Sequence, residues 1–321
     1  MSAPDLANRI ALITGAAGGI GQPLARAFVG AGMRVALCDT SEQDLHRLHG
    51  ELGADHTIAL PMDVSDPAAC RDSVARTISH FGRLDVLVNN AAMGMSTVRT
   101  DHMRRVVQIE DISPELWARF MAVNLSGPFN MAHAAVPGMR ARKFGRIINV
   151  TTSYFTMLNP GFSPYGPAKS GLEAWSTSLA GELKRTGITV NVVVPGGPTD
   201  TPMVPDDGSM ERSQLIRPEK WLRPCFILCR MQAVPSPACA SLRRSGIPLF
   251  PSPMLLPLRA RRPAGLTLQK ARSGPAVVPS ANLTRSQPEG GNHGTRLRHS
   301  DSAQSVRPKN CPCSDGRART R

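Results

Sequence analysis

The stretch TGAAGGIG, from Thr14 to Gly21, decides how the first part of this chain folds. It ends the apolar run RIALITG and leads into Gln22-Pro23, a pair that suits the first turn of a helix. Its glycines let the backbone turn tightly and approach a pyrophosphate, while the free N–H groups of the following helix face the phosphates. A glycine-rich loop alone is often only a turn. Here the strand before it and the helix after it supply the context that a dinucleotide-binding loop requires.

Six short apolar, β-branched runs recur in the first 222 residues, with helical patterns between them. This alternation is typical of a parallel sheet covered by helices on both faces. We predict a single doubly wound α/β domain of the Rossmann type, with ligands bound at the carboxyl ends of the strands. The predicted strands are Arg9–Gly15, Arg34–Asp39, Thr57–Val64, Leu84–Ala91, Arg146–Thr152 and Ile188–Gly196.

The second predicted strand ends in Asp39, 24 residues after Gly15. A carboxylate at this place can accept hydrogen bonds from both ribose hydroxyls of a dinucleotide, and it would repel a 2′-phosphate. We therefore expect NAD rather than NADP. Without the glycine loop, Asp39 would be interpreted as a turn residue that ends a strand.

The stretch PYGPAKSG places Tyr165 and Lys169 four residues apart, so the two side chains share a face if the helix has begun by Tyr165. A phenol with an ordinary pKa of about 10 is a poor base at neutral pH, and a cation within roughly 4–6 Å would favour the tyrosinate. In isolation this spacing is common, and a packed tyrosine beside a solvated lysine would explain it equally well.

Taken together, the ordered motifs resemble the short-chain dehydrogenase/reductase family over about residues 8–222. The resemblance implies an NAD-dependent oxidoreductase that transfers a hydride between the nicotinamide and an alcohol or ketone, with no metal. The matching motifs are TGAAGGIG, Asp39, MDV (62–64), NNAA (89–92), VNLSGPF (123–129), INVTT before PYGPAK, and VNVVVPGG (190–197).

The resemblance also implies a role for each matching residue. Tyr165 would be the general acid/base, Lys169 would lower its pKa and bind the nicotinamide ribose, and Asn124 would hold a water linking Lys169 to solvent. The alternative for Asn124 is a helix residue that bonds locally. The implied cofactor-binding residues are Thr14, Gly15, Gly18, Gly19, Ile20, Gly21, Asp39, Asp63, Val64, Asn90, Tyr165, Lys169, Pro195, Gly196 and Thr199.

This chain departs from the family pattern beside the expected catalytic serine. Thr152 stands thirteen residues before Tyr165, with Ser153 next to it. Neighbours on a strand point to opposite faces, so only one of them can serve the site. We assign the role to Thr152, whose hydroxyl can still donate to a substrate oxygen. Ala92 replaces the usual glycine of NNAG, a small steric change.

Residues 223–321 differ sharply in composition from residues 1–222. The first segment holds 21 Lys and Arg against 21 Asp and Glu, whereas the second holds 17 against 3 and thus the whole net charge of +14. Five of the seven cysteines and thirteen of the 28 prolines also lie there. Such a segment lacks helical or strand periodicity, and we predict a disordered tail that does not supply the family's last strand.

Three interpretations of the tail stay open. The first is a basic arm for nucleic acid, against which stand the few aromatic residues and the absence of a recognisable reader motif. The second is a metal site at Cys311–Cys313, which lacks partners at a convincing ligand spacing. A reading-frame change or alternative terminus explains the charge, proline and cysteine contrast together, and we favour it. A missing last strand would expose a sheet edge and part of the surface through which family members form homo-oligomers, so we expect an unstable or poorly active chain.

The composition favours a soluble, cytoplasmic protein that acts on a small molecule. No signal-peptide pattern or apolar run of membrane-spanning length is evident, and the two cysteines of residues 1–222 do not suggest a disulfide framework. The alternative function is a catalytically silent dinucleotide-binding protein that keeps the fold. Neither the substrate nor the oligomeric state can be inferred from the sequence.

Overall fold

A six-stranded parallel sheet forms the centre of the computed structural model, which describes residues 6–194 and 197–230. The strand order is β3-β2-β1-β4-β5-β6, and every neighbouring pair is parallel. This order confirms the predicted doubly wound Rossmann-type fold. The strands are β1 (Ile10–Thr14), β2 (Arg34–Asp39), β3 (Thr57–Pro61), β4 (Val86–Asn89), β5 (Gly145–Val150) and β6 (Ile188–Val193).

Helices cover both faces of the sheet, which is why its central strands are apolar throughout. All five residues of β1 and all six of β5 are buried, and neighbours along β1 contribute to opposite cores. The helices are α1 (Gly21–Gly30), α2 (Glu42–Leu52), α3 (Pro67–Phe81), α4 (Pro114–Met121), α5 (Gly127–Ala141), α6 (Tyr154–Met157), α7 (Tyr165–Glu182) and α8 (Leu222–Arg230).

Two helices begin at the cap signals that their sequences carry. The Asp66 carboxylate accepts a 2.7 Å hydrogen bond from the Ala68 amide at the start of α3. The Ser113 hydroxyl accepts one of 3.2 Å from the Leu116 amide at the start of α4. In both cases a proline occupies the first turn, where its missing N–H costs nothing. These caps fix the helix starts next to the loops that form the site.

The segment directly after residue 222 is helical, which corrects the prediction that the irregular tail begins there. Helix α8 buries Cys225 and Leu228 in the core that also contains β1, β5 and α1. Phe226 packs edge-on against Phe28 of α1, with ring centroids 5.4 Å apart. The apolar residues of CFILC form the buried face of this helix, which packs against the core.

The predicted strand and tail residues beyond these bounds are only partly covered by the structure. Residues 195 and 196, which the sixth predicted strand includes, and residues 231–321 lie outside the described residues. The prediction of a missing last strand therefore stays untested. Within the described ranges, no helix combines the length and apolar character needed to cross a membrane.

Candidate active site

The glycine loop between β1 and α1 has a shape that only glycine permits at two positions. Gly15 has a positive φ of 65°, and a Cβ there would lie 2.8 Å from the Ala91 Cα. A Cβ on Gly21 would collide with the carbonyl oxygen of Gly15. The loop is therefore folded tightly on itself, and it leaves its backbone open to a close-fitting ligand such as a pyrophosphate.

The ends of β1 and β4 are tied together by Thr14 and Asn90. The Thr14 hydroxyl accepts hydrogen bonds of 3.1 Å from the amides of Asn90 and Ala91. The Asn90 side-chain amide donates in return to the carbonyls of Thr14 and Gly15, at 3.0 Å each. These four bonds hold the glycine loop against the neighbouring strand end. Both residues thus fix the position of the glycine loop relative to the end of β4.

Asp39 lies at the end of β2 beside the glycine loop. One carboxylate oxygen accepts a 3.0 Å hydrogen bond from the Ala17 amide, and the other accepts one of 3.1 Å from the Ser41 amide. The carboxylate is half-buried and keeps lone pairs for further donors. Its place next to the loop is the one that a ribose-binding carboxylate requires.

Asp63 carries a partner that the sequence motifs did not reveal. Its carboxylate accepts hydrogen bonds from Arg119 of α4 at 2.5 Å and from the Ser65 hydroxyl at 2.8 Å. Burial acts to raise the pKa of Asp63, but the bonds from Arg119 and Ser65 outweigh it, so this pKa is lowered. Val64 is buried and packs where a side chain on Gly127 would otherwise lie.

Tyr165 and Lys169 lie on the first turns of α7 and face the end of β5. The Thr152 hydroxyl lies near enough to the Tyr165 phenol to act to lower its pKa, and Lys169 Nζ donates a 2.9 Å bond to the Val150 carbonyl. The ammonium lies 5.8 Å from the centroid of the Tyr165 ring. Ser153 instead caps α6, where its hydroxyl accepts from the Thr156 amide at 3.2 Å. The structure thus brings Thr152, and not Ser153, to the tyrosine.

The ionisation of this pair differs from the expectation that Lys169 lowers the pKa of Tyr165. Burial raises the pKa of Tyr165 to about 12, and the Thr152 hydrogen bond opposes this only in part. Burial also lowers the pKa of Lys169 from 10.5 to about 8. Both shifts follow from one cause, because withdrawal from water disfavours whichever form is charged. In this structure the phenol is a proton donor at neutral pH.

Asn124 is fully buried within a π-helical turn, Ala122–Ser126, that joins α4 to α5. Its side-chain oxygen accepts from the Met93 amide at 3.1 Å, and its side-chain nitrogen donates to the Met93 carbonyl at 3.2 Å. The side chain therefore bonds across the cleft to the segment after β4 and not within its own helix. Single π-turns of this kind are frequent at functional sites.

The segment after β6 closes over the glycine loop and contributes contacts that the sequence motifs did not identify. Thr199 is buried and pairs with Ile216 in a short bridge, whereas Pro195 and Gly196 are not among the described residues. A Cβ on Gly19 would lie 2.5 Å from the Thr201 Cβ. A cavity of about 610 Å³ opens here, lined by Ala17, Gly18, Gly19, Gln22, Pro23, Arg26, Ala27, Pro202, Pro218, Glu219 and Leu222.

Comparison with known proteins identifies the class that this fold and cleft define. The family model for short chain dehydrogenases matches residues 9–212. The chain therefore belongs to the short-chain dehydrogenase family of oxidoreductases, the family that its motifs resemble.

Two curated relatives show the breadth of that family. The chain is 37% identical over 189 residues to a 3-oxoacyl-(acyl-carrier-protein) reductase of Salmonella typhimurium, an alignment covering 59% of this chain and 73% of the relative. It is 33% identical over 193 residues to a D-beta-hydroxybutyrate dehydrogenase of Rhizobium meliloti, covering 59% of this chain and 71% of the relative.

Solved structures share the fold and differ in their cofactor. A Brucella melitensis 3-ketoacyl-(acyl-carrier-protein) reductase complexed with NADH has a TM-score of 0.61 and 27% identity, covering 70% of this chain and 91% of that one. A metagenomic short-chain oxidoreductase in complex with NADP has a TM-score of 0.59 and 27% identity, covering 71% and 93%. Both structures hold a nicotinamide dinucleotide, but one holds NADH and the other NADP.

Proposed function

We propose that this protein is an NAD-dependent ketoreductase or alcohol dehydrogenase in which Tyr165 exchanges the proton of the substrate hydroxyl. The observation that carries the proposal is the contact of Tyr165 with Thr152 at the end of β5, with Lys169 one turn further along α7. When bound, the nicotinamide supplies the hydride acceptor or donor. Thr152 orients the substrate oxygen, and Tyr165 donates or accepts its proton.

The residues of the cleft fit a dinucleotide. The glycine loop and the start of α1 would hold the pyrophosphate, Asp39 the adenosine ribose, and Asp63 with Val64 the adenine. Lys169 would bind the nicotinamide ribose, and Thr199 would lie near the nicotinamide carboxamide, a role also expected of Pro195 and Gly196, which are outside the described residues. Asn124 would hold a water between Lys169 and solvent, in a position secured by its two bonds to Met93.

The pKa values of Tyr165 and Lys169 favour reduction of a ketone at neutral pH. With a pKa of about 12 the phenol holds its proton and can donate it to the developing alkoxide. Lys169, with a pKa of about 8, lies close enough to neutrality to pass a proton onward. Oxidation of an alcohol needs the tyrosinate, so it requires a higher pH or a further cation near Tyr165.

The catalytic assignment is tested with the two tyrosines of the chain. Tyr165→Phe should lower the rate of ketone reduction by about 10²- to 10⁴-fold, since it removes the proton donor but not the ring. Tyr154→Phe is the matched control, because it removes an exposed phenol hydroxyl on α6 and keeps the aromatic ring, and it should retain activity. NAD binding, measured by titration calorimetry, should persist in both variants.

The preference for NAD is tested separately. Asp39→Ser should shift the ratio of kcat/KM values toward NADP by at least about tenfold, which corresponds to about 1.4 kcal/mol. An unchanged ratio would contradict the role of Asp39 without touching that of Tyr165.

A second candidate is a dinucleotide-binding protein without turnover, which the raised pKa of Tyr165 favours because a protonated phenol cannot act as a base. NAD binding with no reduction or oxidation, unchanged by Tyr165→Phe, would support this candidate. A cytoplasmic location and a weakened homo-oligomer stay predictions from the sequence.

A further inference from the structure

The walls of the cleft around Tyr165 are built from segments that lack charged side chains. Residues 151–168, which run from β5 through α6 to α7, contain no Asp, Glu, Lys or Arg. The same is true of residues 93–98, which follow β4, and of residues 201–205. Met203 links the last two, because its side chain occupies the space beside Gly94. Surface segments normally carry charges, so this absence sets the site apart.

Exposed apolar side chains lie on the segment between Thr152 and Tyr165. Tyr154 and Phe155 on α6 are 55% and 78% exposed, and Leu158 at the C-cap of α6 is 62% exposed. Tyr154 and Leu158 are four residues apart, and Phe155 and Leu158 three, so they form one continuous helical surface. Val106 is 50% exposed and contacts the same segment at Gly161. We call these four residues the apolar rim.

The apolar rim is continuous with the interior of the site. Thr152 immediately precedes the Ser153 cap of α6. On the other side, Tyr165 packs with Phe162 against the buried Met95 and Val107. Val107 of this cluster and Val106 of the apolar rim both border Gly161, so the cluster around Tyr165 adjoins the rim. Contiguous exposed apolar surface of this kind marks a place where an apolar ligand or partner is bound.

Two arginines near these segments are engaged with carboxylates. Arg99 forms an ion pair of 2.6 Å with Asp101, and Arg104 lies 3.9 Å from Asp207. Each of these arginines already has a carboxylate, so neither offers an uncompensated charge to an anionic substrate group. Residues 93–98, 151–168 and 201–205 carry no charge of their own, so burial of apolar surface is the source of affinity that these segments can offer.

We propose that the substrate is a neutral ketone or secondary alcohol with an apolar chain or ring, whose far end lies on the apolar rim. This inference rests on the proposed function and names its substrate class.

The test is a series of 2-alkanones from butanone to decan-2-one, reduced with NADH. The value of kcat/KM should rise by about fourfold per added methylene, as expected for about 0.8 kcal/mol of burial per group, until the chain extends past the rim. Phe155→Gln should lower kcat/KM for decan-2-one by about tenfold and leave that for butanone unchanged. Phe129→Gln, at a 49% exposed aromatic on α5, is the control and should change neither.

A flat dependence on chain length would overturn the inference, as would an equal loss on all ketones in Phe155→Gln. A failure of the chemistry is distinguished by direct binding. In Tyr165→Phe, titration calorimetry with NADH present should still show decan-2-one binding more tightly than butanone. Equal or undetectable binding of both ketones would contradict the inference. Tighter binding of decan-2-one without turnover in the wild type would contradict only the proposed function.

Discussion

Replacing Lys169 by methionine should stabilise this protein at neutral pH, and the gain should vanish as the pH rises. Lys169 is 2% exposed, and burial lowers its pKa from 10.5 to about 8. The unfolded chain therefore binds more protons than the folded one between pH 8 and 10.5. Stability rises with pH across that window, because the penalty of burying the ammonium is full below pH 8 and absent above 10.5.

The size of the effect follows from these two values. A difference of about 2.5 between the folded and unfolded pKa corresponds to about 3 kcal/mol. Methionine fills a similar volume and carries no charge. The free energy of unfolding of Lys169→Met minus that of the wild type should therefore fall by about 2 to 3 kcal/mol between pH 7 and pH 10. The partly buried Tyr165 and the buried cysteines are present in both proteins, so their titration contributes to both free energies of unfolding.

Urea unfolding of both proteins, followed by circular dichroism at half-unit pH steps, measures this difference. Lys184→Met is the control, because Lys184 is exposed near the end of α7, and its effect should not vary with pH. A constant difference for Lys169→Met would refute the reasoning. It would mean that the 2.9 Å bond to the Val150 carbonyl compensates the buried charge.

Two further predictions concern the site and the core. Burial raises the pKa of Tyr165 to about 12, so initial rates of alcohol oxidation should increase from pH 7 to pH 10, whereas rates of ketone reduction should not. An oxidation rate independent of pH would count against a tyrosine base. Phe226→Ala should lower the free energy of unfolding by about 2 kcal/mol, since it removes a partly buried ring packed on Phe28. Equal urea midpoints for the variant and the wild type would show that α8 does not stabilise the fold.

The sheet could be predicted from the sequence because its signals are local. Each strand is a short apolar run, and the caps at Asp66 and Ser113 mark the helices that follow. Helix α8 was not predicted because the residues that it packs against are distant in sequence. The segment CFILC lies in a composition that suggests an irregular tail, and only the uncovered face beside Phe28 makes it a helix.

The residues of the site were predicted from ordered motifs, but their interactions were not. Asn90, Asp39 and Thr152 all lie at or just after the carboxyl ends of parallel strands, the place where ligands bind in such sheets, and their roles there stay predictions. Arg119 was missed since its contact with Asp63 joins elements that are distant in sequence. The pKa of Tyr165 was expected to be lowered, because the spacing from Lys169 reveals the nearby cation and not the depth of burial.

Transfer of deuterium tests the central claim most directly. The protein would be incubated with NAD and octan-2-ol that carries deuterium on its carbinol carbon, at pH 9, and the cofactor analysed by mass spectrometry. We predict NADH enriched by one deuterium in the wild type, with at least about a hundredfold less formed by Tyr165→Phe. Unlabelled NAD in a protein that binds both compounds, or equal labelling by the two proteins, would contradict hydride transfer through Tyr165.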